Sequence, residues 1–333
     1  MRVGWIAAEY NDLHAAYRFR VKMPMDCLSA IGHTQEIFDP DRWSTYDVVV
    51  FGRAYQDAHI VMAQSLRDKG VPTALDLSDN HFYNPYRLPQ YTQGARRLLR
   101  MITTVDLVIC TTSALAAAVR DALGERVPPL HVVGDYCERV KCSPCHGDTG
   151  QRMLLWFGNA GSANAPNGLS DLNLIVEPLQ RAYEQCKFKL VVSSGDPVRH
   201  ALEVAGSGFP SSHVTWTRTG FPNLLAAADA VVIPATRNPF VDAKSPNRLT
   251  LSLLADVPVV ATGIPSYREF AEYCYLDCWD TGLEEVLQRP AVSRARAAAG
   301  AAYIRREWSD ERVTEDWVRA LAATAAMSRR PVV

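Results

Sequence analysis

The sequence predicts an α/β fold built as two successive halves, each a parallel sheet covered by helices on both faces. Three observations lead there. Short strands that are apolar throughout, such as DVVVFG (47–52) and AVVIP (230–234), alternate with amphipathic segments of helix length, and such strands belong in a sheet buried on both sides. The alternation stops between Glu138 and Arg152, where charge, cysteine, Pro144 and two glycines replace periodicity, and then restarts. At 333 residues the chain also exceeds what one hydrophobic core usually serves, so two domains of about 150 residues each are expected.

Taken in order, VGWIAA (3–8) is a buried strand, and YRFRVKMPMDCLSAI (17–31) carries apolar residues at helical spacing, with a break or kink expected near Pro24. Gly32 suits the helix end. HTQEIF (33–38) and DVVVFG are the second and third strands, and the helix HIVMAQSLRDKG (59–70) again stops at glycine. PTALDLSD (72–79) is the fourth strand. A helix and fifth strand share LLRMITTVDLVICTTS (98–113), a helix follows with Ser113 as its N-cap, and HVVGDY (131–136) ends this half.

The first domain is therefore drawn as 1–137, the linker as 138–152 and the second domain as 153–305. That domain opens on the strand and turn MLLWFGNAG (153–161). The helix LSDLNLIVEPLQRAYEQC (169–186), the strands FKLVVSSGD (188–196) and HVTWTR (213–218), and the helix and strand of FPNLLAAADAVVIP (221–234) follow. After VPVVAT (257–262) come a helix (SYREFAEYC), a short strand (YLDCW) and another helix (GLEEVLQRP). The tail from Val292 to Arg330 reads as helical, interrupted about Trp308 and Ser309.

Composition is that of a globular enzyme, with 48% hydrophobic residues. Lys+Arg 35 against Asp+Glu 36 provides no global basic field, so no nucleic-acid partner is expected and a basic site must be local. The N-terminus lacks the features of a signal peptide and no apolar run approaches the ~20 residues of a membrane span. A cytoplasmic location is expected, with peripheral membrane association left open. The eight cysteines should then stay reduced. Cys137, Cys142, Cys145 and His146 include the string CSPCH, whose spacing could serve haem attachment or zinc. No export signal and no second Cys-x-x-Cys supports either, and a linker that happens to hold cysteine is the plainer reading.

Two such halves place a ligand in the cleft between the carboxyl ends of the sheets. The stretch Ile233–Tyr267 is the focal candidate: a strand, a polar loop with Arg237, Lys244 and Arg248, a helix expected to start at Ser245 with Pro246 in its first turn, and a further strand. A helix N-terminus and cations together make an anion seat, read here as one for a diphosphate. An ordinary crossover with solvated basic residues has the same pattern. Neighbouring strand ends offer Gly158, Asn159, Gly161 and Ser162, and then Ser194, where small residues let backbone approach a ligand. In the first half the strand ends offer Glu9 with Tyr10, Gly52 with Arg53, and Asp76, Asp79 and His81. Asp79 and His81 are the candidate acid/base groups, against a reading of Asp76 and Asp79 as turn caps and of His81 as a satisfied polar residue. Of Arg18 and Arg20, spacing lets at most one face the cleft.

These segments, in this order, resemble the GT-B glycosyltransferases of the large group-one, family-four-like class. YRFRVKMPMDCLSAIGHTQEIF is similar to their first helix and second strand in a subgroup with a Tyr-x-x-Arg start. LDLSDNHF resembles that subgroup's Asp-rich segment, and VDLVICTTSALAAAV its following strand and helix. LLWFGNAGS, GFPNLLAAADAVVIP and KSPNRLTLSLLADVPVVAT are similar to the donor-site segments. The resemblance implies two Rossmann-like domains with a cleft between them, a nucleotide diphosphate sugar as donor substrate on the second, an unknown acceptor mainly on the first, and a C-terminal helix (306–333) crossing back to the first. It further implies Lys244, Ser245, Asn247 and Arg248 on the diphosphate, Gly158 to Ser162 near the donor phosphates or sugar, and Thr219, Gly220 and Phe221 near the base.

No metal and no cofactor are implied, because cations and a helix dipole can neutralise the leaving diphosphate, and retaining transfer asks little of a protein base. The chain departs from the family at Ala243 and Leu251, where two glutamates are common, and at Asp256, where glycine is. The turn GNAGSANAPNG also lacks the family's Arg and Lys, for one of which Arg237 is a candidate substitute. A non-catalytic nucleotide-binding or assembly protein on the same scaffold is the alternative these departures keep open, and an epimerase of this architecture would need an acid/base cluster that is not evident.

Overall fold

A computed structural model describes residues 1–138 and 152–327. The described chain divides into two compact units. One comprises Met1–Tyr136, the four residues Asp242–Ser245 and the segment from Trp308 onward; the other comprises Cys137–Val241 and Pro246–Glu307.

The first unit contains β1 (Arg2–Ala7), α1 (Ala15–Tyr17), a π-helical segment (Arg18–Lys22), α2 (Met23–Ala30), β2 (Thr34–Ile37), β3 (Val48–Gly52), α3 (Asp57–Asp68), β4 (Thr73–Leu77), α4 (Pro89–Thr104), β5 (Leu107–Cys110), α5 (Ser113–Leu123) and β6 (Leu130–Val132). Its strands form a six-stranded parallel sheet in the order β2-β1-β3-β4-β5-β6. The second unit contains β7 (Arg152–Phe157), α6 (Val176–Gln185), β8 (Phe188–Ser194), α7 (Pro197–Glu203), β9 (Ser211–Thr215), α8 (Phe221–Ala226) and β10 (Ala230–Ile233). There follow α9 (Pro239–Asp242), α10 (Asn247–Leu254), β11 (Val259–Ala261), β12 (Tyr275–Leu276), α11 (Trp279–Gln288) and α12 (Pro290–Glu307). Its sheet is also parallel and six-stranded, in the order β12-β11-β10-β7-β8-β9. A last helix, α13 (Asp310–Ala325), belongs to the first unit.

Side-chain alternation along β3 shows how the first sheet is covered. Val49 and Phe51 join Leu75, Val108, Ile60, Leu66, Leu98 and Leu115 in one core under α3, α4 and α5. Val48 and Val50 point the other way and join Val3, Trp5, Ile109 and Leu28 with Val313, Trp317 and Leu321 of α13. Trp317 packs on Trp5 with ring centroids 5.5 Å apart, so the last helix supplies a wall of this core. In the second unit Trp156, Leu190, Val192, Val232 and Val260 meet Leu179 of α6 and Leu283 and Val286 of α11.

An ionic group is buried beside the second of these cores. The Arg20 guanidinium donates to both Asp76 oxygens, to Asp135 Oδ1 at 3.1 Å, and to the carbonyls of Val133 and Gly134 at 2.9 Å each. It lies over the Trp317 ring, 5.0 Å from the centroid. Arg20 therefore fastens the π-helical segment to β4, to the chain beyond β6 and to α13. Asp76, read from sequence as a turn cap, is its buried counter-ion, and Arg18 and Arg20 are both buried.

Three local expectations need correction. The helix is not broken at Pro24; it runs through a π segment (Arg18–Lys22) straight into α2, in whose first turn Pro24 lies. The N-cap of α5 is Thr112, not Ser113: the Thr112 hydroxyl accepts from Leu115 N at 3.0 Å. Helix α10 starts at Asn247 with Pro246 as N-cap, two residues later than expected.

Candidate functional site

In the second unit the candidate residues gather at the carboxyl ends of β7, β8 and β10. Gly158 follows β7 with φ 155°, and its N–H donates to Ser193 O at 3.1 Å. Arg248, in the first turn of α10, reaches the same strand end: Nη1 donates to Phe157 O at 3.3 Å. A Cβ on Gly158 would stand 3.3 Å from that nitrogen, so the small residue lets the guanidinium lie against the backbone. Burial raises the Tyr267 phenol pKa, and the neighbouring Arg248 guanidinium opposes the rise. Helix α10 begins beside this strand end, with Pro246 at its N-cap and Asn247 and Arg248 in its first turn.

The loop after β7 is held by its own polar groups. Asn159 Oδ1 accepts from Gly161 N at 3.1 Å, and Asn167 Nδ2 donates to Ser162 Oγ at 2.6 Å and to Ala165 O at 2.8 Å. Gly161 and Gly168 have φ of 144° and 99°, and a Cβ at either would run into backbone: Asn167 O at 2.8 Å for Gly161, Ala160 O at 2.5 Å for Gly168. Sequence reading missed the residue that anchors this loop. Buried Asp171 accepts from Gly168 N at 2.9 Å through one oxygen, and from Thr236 N at 3.0 Å and Thr236 Oγ1 at 2.6 Å through the other. It ties the loop after β7 to the loop after β10. A lone aspartate in LSDLNL offers no sequence signal for that role, which depends on two distant loops meeting.

Other expected residues are engaged within the unit. Ser194 is buried and its Oγ lies 3.1 Å from His213 Nε2. Phe221 is buried against Phe157, centroids 4.7 Å apart, and its ring lies 6.3 Å from that of Trp216. Arg237 Nη1 donates to Gly263 O at 2.9 Å.

In the first unit, the other candidates meet at the carboxyl ends of β3 and β4. Lys244 and Ser245 belong here, and Lys244 Nζ lies 2.6 Å from Asp79 Oδ1. Arg53 Nη2 is 3.6 Å from Asp79 Oδ2, and His81 Nε2 is 4.0 Å from the same oxygen. Tyr55, which sequence reading did not single out, places its hydroxyl 2.6 Å from His81 Nδ1. Burial alone would raise the Asp79 pKa, but Lys244 and then Arg53 outweigh it and hold the carboxyl well below the usual range. Burial lowers His81 to about 4, with Arg53 and Lys244 adding to the effect against Asp79, so its imidazole is neutral at pH 7. Thr112 Oγ1 donates to Ala243 O at 2.9 Å, and Ala243 is buried in the core under α5. This fixes the backbone from which Lys244 extends.

Among the described residues, no group of three or more His, Cys, Asp or Glu is placed to hold a metal ion. Cys137 is a buried free thiol, while Cys142, Cys145 and His146 lie outside the described residues. No described helix is long and apolar enough to cross a membrane.

No family model and no curated protein matches the chain. Solved structures do. Anabaena Alr3699/HepE in complex with UDP matches at 14% identity over 97% of this chain and 100% of its own, with a TM-score of 0.70. AviGT4, a glycosyltransferase involved in avilamycin A biosynthesis, matches at 15% identity over 98% of each chain, with a TM-score of 0.62. OtsA, in its apo form, matches at 12% identity over 100% of each chain, also at 0.62. Agreement over whole chains at such low identity is agreement of fold, and the fold of this chain is GT-B.

Proposed function

We propose that the chain is a glycosyltransferase that moves a sugar from a nucleotide diphosphate sugar to an acceptor, with the donor on the second unit and the acceptor on the first. The observation that carries the reading is the meeting of Arg248, the start of α10 and the glycine end of β7. A guanidinium and the positive end of a helix dipole suit the charge that develops on a departing diphosphate. The GT-B structures that match over their whole length, among them Anabaena HepE in complex with UDP-glucose at a TM-score of 0.71, support the same class of donor.

Transfer with retention and without a metal is the finer proposal. An inverting reaction needs a base, and the candidate, Asp79, is an ion-paired carboxylate with little affinity for a proton. We assign Asp79 to positioning Lys244 and Arg53 rather than to proton transfer, and keep His81, neutral and paired with Tyr55, as the candidate acid/base group. Cations such as Arg248 and Arg237 would neutralise the leaving group in place of a metal. A nucleotide-binding protein without activity is a second reading, favoured by Ala243: where the resembling enzymes carry glutamate, this chain buries an alanine in a core.

A panel of nucleoside diphosphates and their sugars, followed by thermal shift and then by release of free nucleoside diphosphate, tests these readings. Saturable stabilisation by one base together with turnover supports the transferase. Stabilisation without turnover on any acceptor supports the second reading, and no stabilisation by any nucleotide contradicts both.

A further inference from the structure

Arg53 in the first unit has hydrogen-bonding capacity that the described fold leaves unused. It follows β3 directly, at the carboxyl edge of the sheet. There the chain leaves β1 toward β2 and leaves β3 toward β4, in opposite directions, although β1 and β3 are neighbours. Such a reversal opens a crevice in a parallel α/β sheet. The backbone of Arg53 sits at φ 55°, a region that non-glycine residues avoid, and its N–H is held by Asp76 O at 2.9 Å. Strain of this kind persists where the surroundings impose it, and it gathers at ligand-binding places.

Among the described residues the guanidinium makes no hydrogen bond. Nε is buried without a partner, and the carboxylate paired with Nη2 lies 3.6 Å away. That carboxylate, Asp79, is already engaged by Lys244 at 2.6 Å, so two cations face one acid. The Arg53 side chain is 31% exposed, which leaves one edge of the fork open to a ligand. A structural arginine would spend its donors on the fold, as Arg20 of the same unit does on Asp76 and Asp135.

We infer that Arg53 is the seat of an oxyanion, a carboxylate or phosphate group carried by the acceptor. A planar guanidinium turning toward such a group presents two parallel N–H donors to it, while Asp79, 3.6 Å from Nη2, keeps the charge at this edge. The assignment to the acceptor, unlike the oxyanion seat itself, rests on the function proposed above.

The test titrates inorganic phosphate and, separately, acetate into the full chain at constant ionic strength, with and without saturating UDP, following the thermal midpoint. Arg53→Asn removes the charge while tolerating the left-handed backbone, and Arg53→Lys keeps the charge without the fork. The expected result is saturable stabilisation that persists with UDP present, weakens about ten-fold or more in Arg53→Asn and returns in part in Arg53→Lys. The stronger of the two anions gives the acceptor's class. Should Arg53→Asn melt early without ligand, the wild-type Arg53 Nε–Hε resonance is followed instead: its movement on anion addition supports the seat, and its indifference overturns it. Stabilisation that is absent, or that survives in Arg53→Asn, likewise overturns the seat. Loss of the Arg53-dependent effect when UDP saturates assigns the residue to the donor and overturns the acceptor claim. Failure of UDP to bind, with the Arg53-dependent effect intact, removes the donor reading and leaves the oxyanion seat standing.

Discussion

Lys244 Nζ and Asp79 Oδ1, 165 residues apart in the chain, lie 2.6 Å from each other in the first unit. The two partners are unequally buried: Asp79 is 16% exposed and Lys244 is 40% exposed. Removing either therefore has different consequences. Lys244→Met leaves Asp79 with Arg53 and should cost no more than about 1 kcal/mol in urea unfolding. Asp79→Ala strands two cations around a mostly buried gap and should cost about 1–3 kcal/mol. A double-mutant cycle in which both single changes cost the same would contradict this ranking.

Histidine 81 should make stability depend on pH. Its folded pKa of about 4 lies below the ordinary value of 6.5, chiefly through burial, so the unfolded chain binds the proton more readily between those values. The contribution is full above pH 6.5 and is lost progressively as pH falls toward 4, by roughly 3 kcal/mol at most. Asp79, with its pKa depressed, adds a further loss only at lower pH, below the ordinary carboxylate range. Unfolding free energies measured between pH 4 and 7 should show the slope in wild type, and His81→Asn should flatten it.

Arg20→Met should be among the most damaging single changes in the first unit. It leaves Asp76 and Asp135 facing each other without their cation and removes the group over Trp317. Breaking a buried pair in this way costs about 3–5 kcal/mol. Denaturant melts would contradict the claim if the loss were under about 1 kcal/mol.

Gly161→Ala and Gly168→Ala should each destabilise the loop after β7, by about 1–3 kcal/mol for a positive-φ position with a backbone collision. Gly195→Ala is the control, because a Cβ there meets nothing within 4 Å. Under the proposed function the first two changes also weaken nucleotide binding while the control does not, as calorimetry would show.

The two sheets were legible because central strands such as β3 and β10 are apolar and buried at every position, and because glycines and helix-length amphipathic segments punctuate the chain. Composition also carried the small-residue turn of Gly158 and Gly161. The roles inside the sites were less visible, since they depend on partners far away in sequence. Nothing in LDLSDNHF separates Asp76, the buried counter-ion of Arg20, from Asp79, the partner of Lys244. The contact of Ala243 with Thr112 and the anchoring by Asp171 follow from loops folding together, which no local pattern encodes. Helix α10 likewise starts at Asn247 rather than Ser245, and Lys244 and Ser245 group with the first unit.

Calorimetric titration of UDP and the other nucleoside diphosphates into wild type and Arg248→Ala tests the donor reading most directly. The account predicts that one of them binds with saturable heat and that Arg248→Ala weakens it about ten-fold or more, with the thermal midpoint of the free protein little changed. Absence of binding by every nucleoside diphosphate, or full affinity in Arg248→Ala, would contradict it.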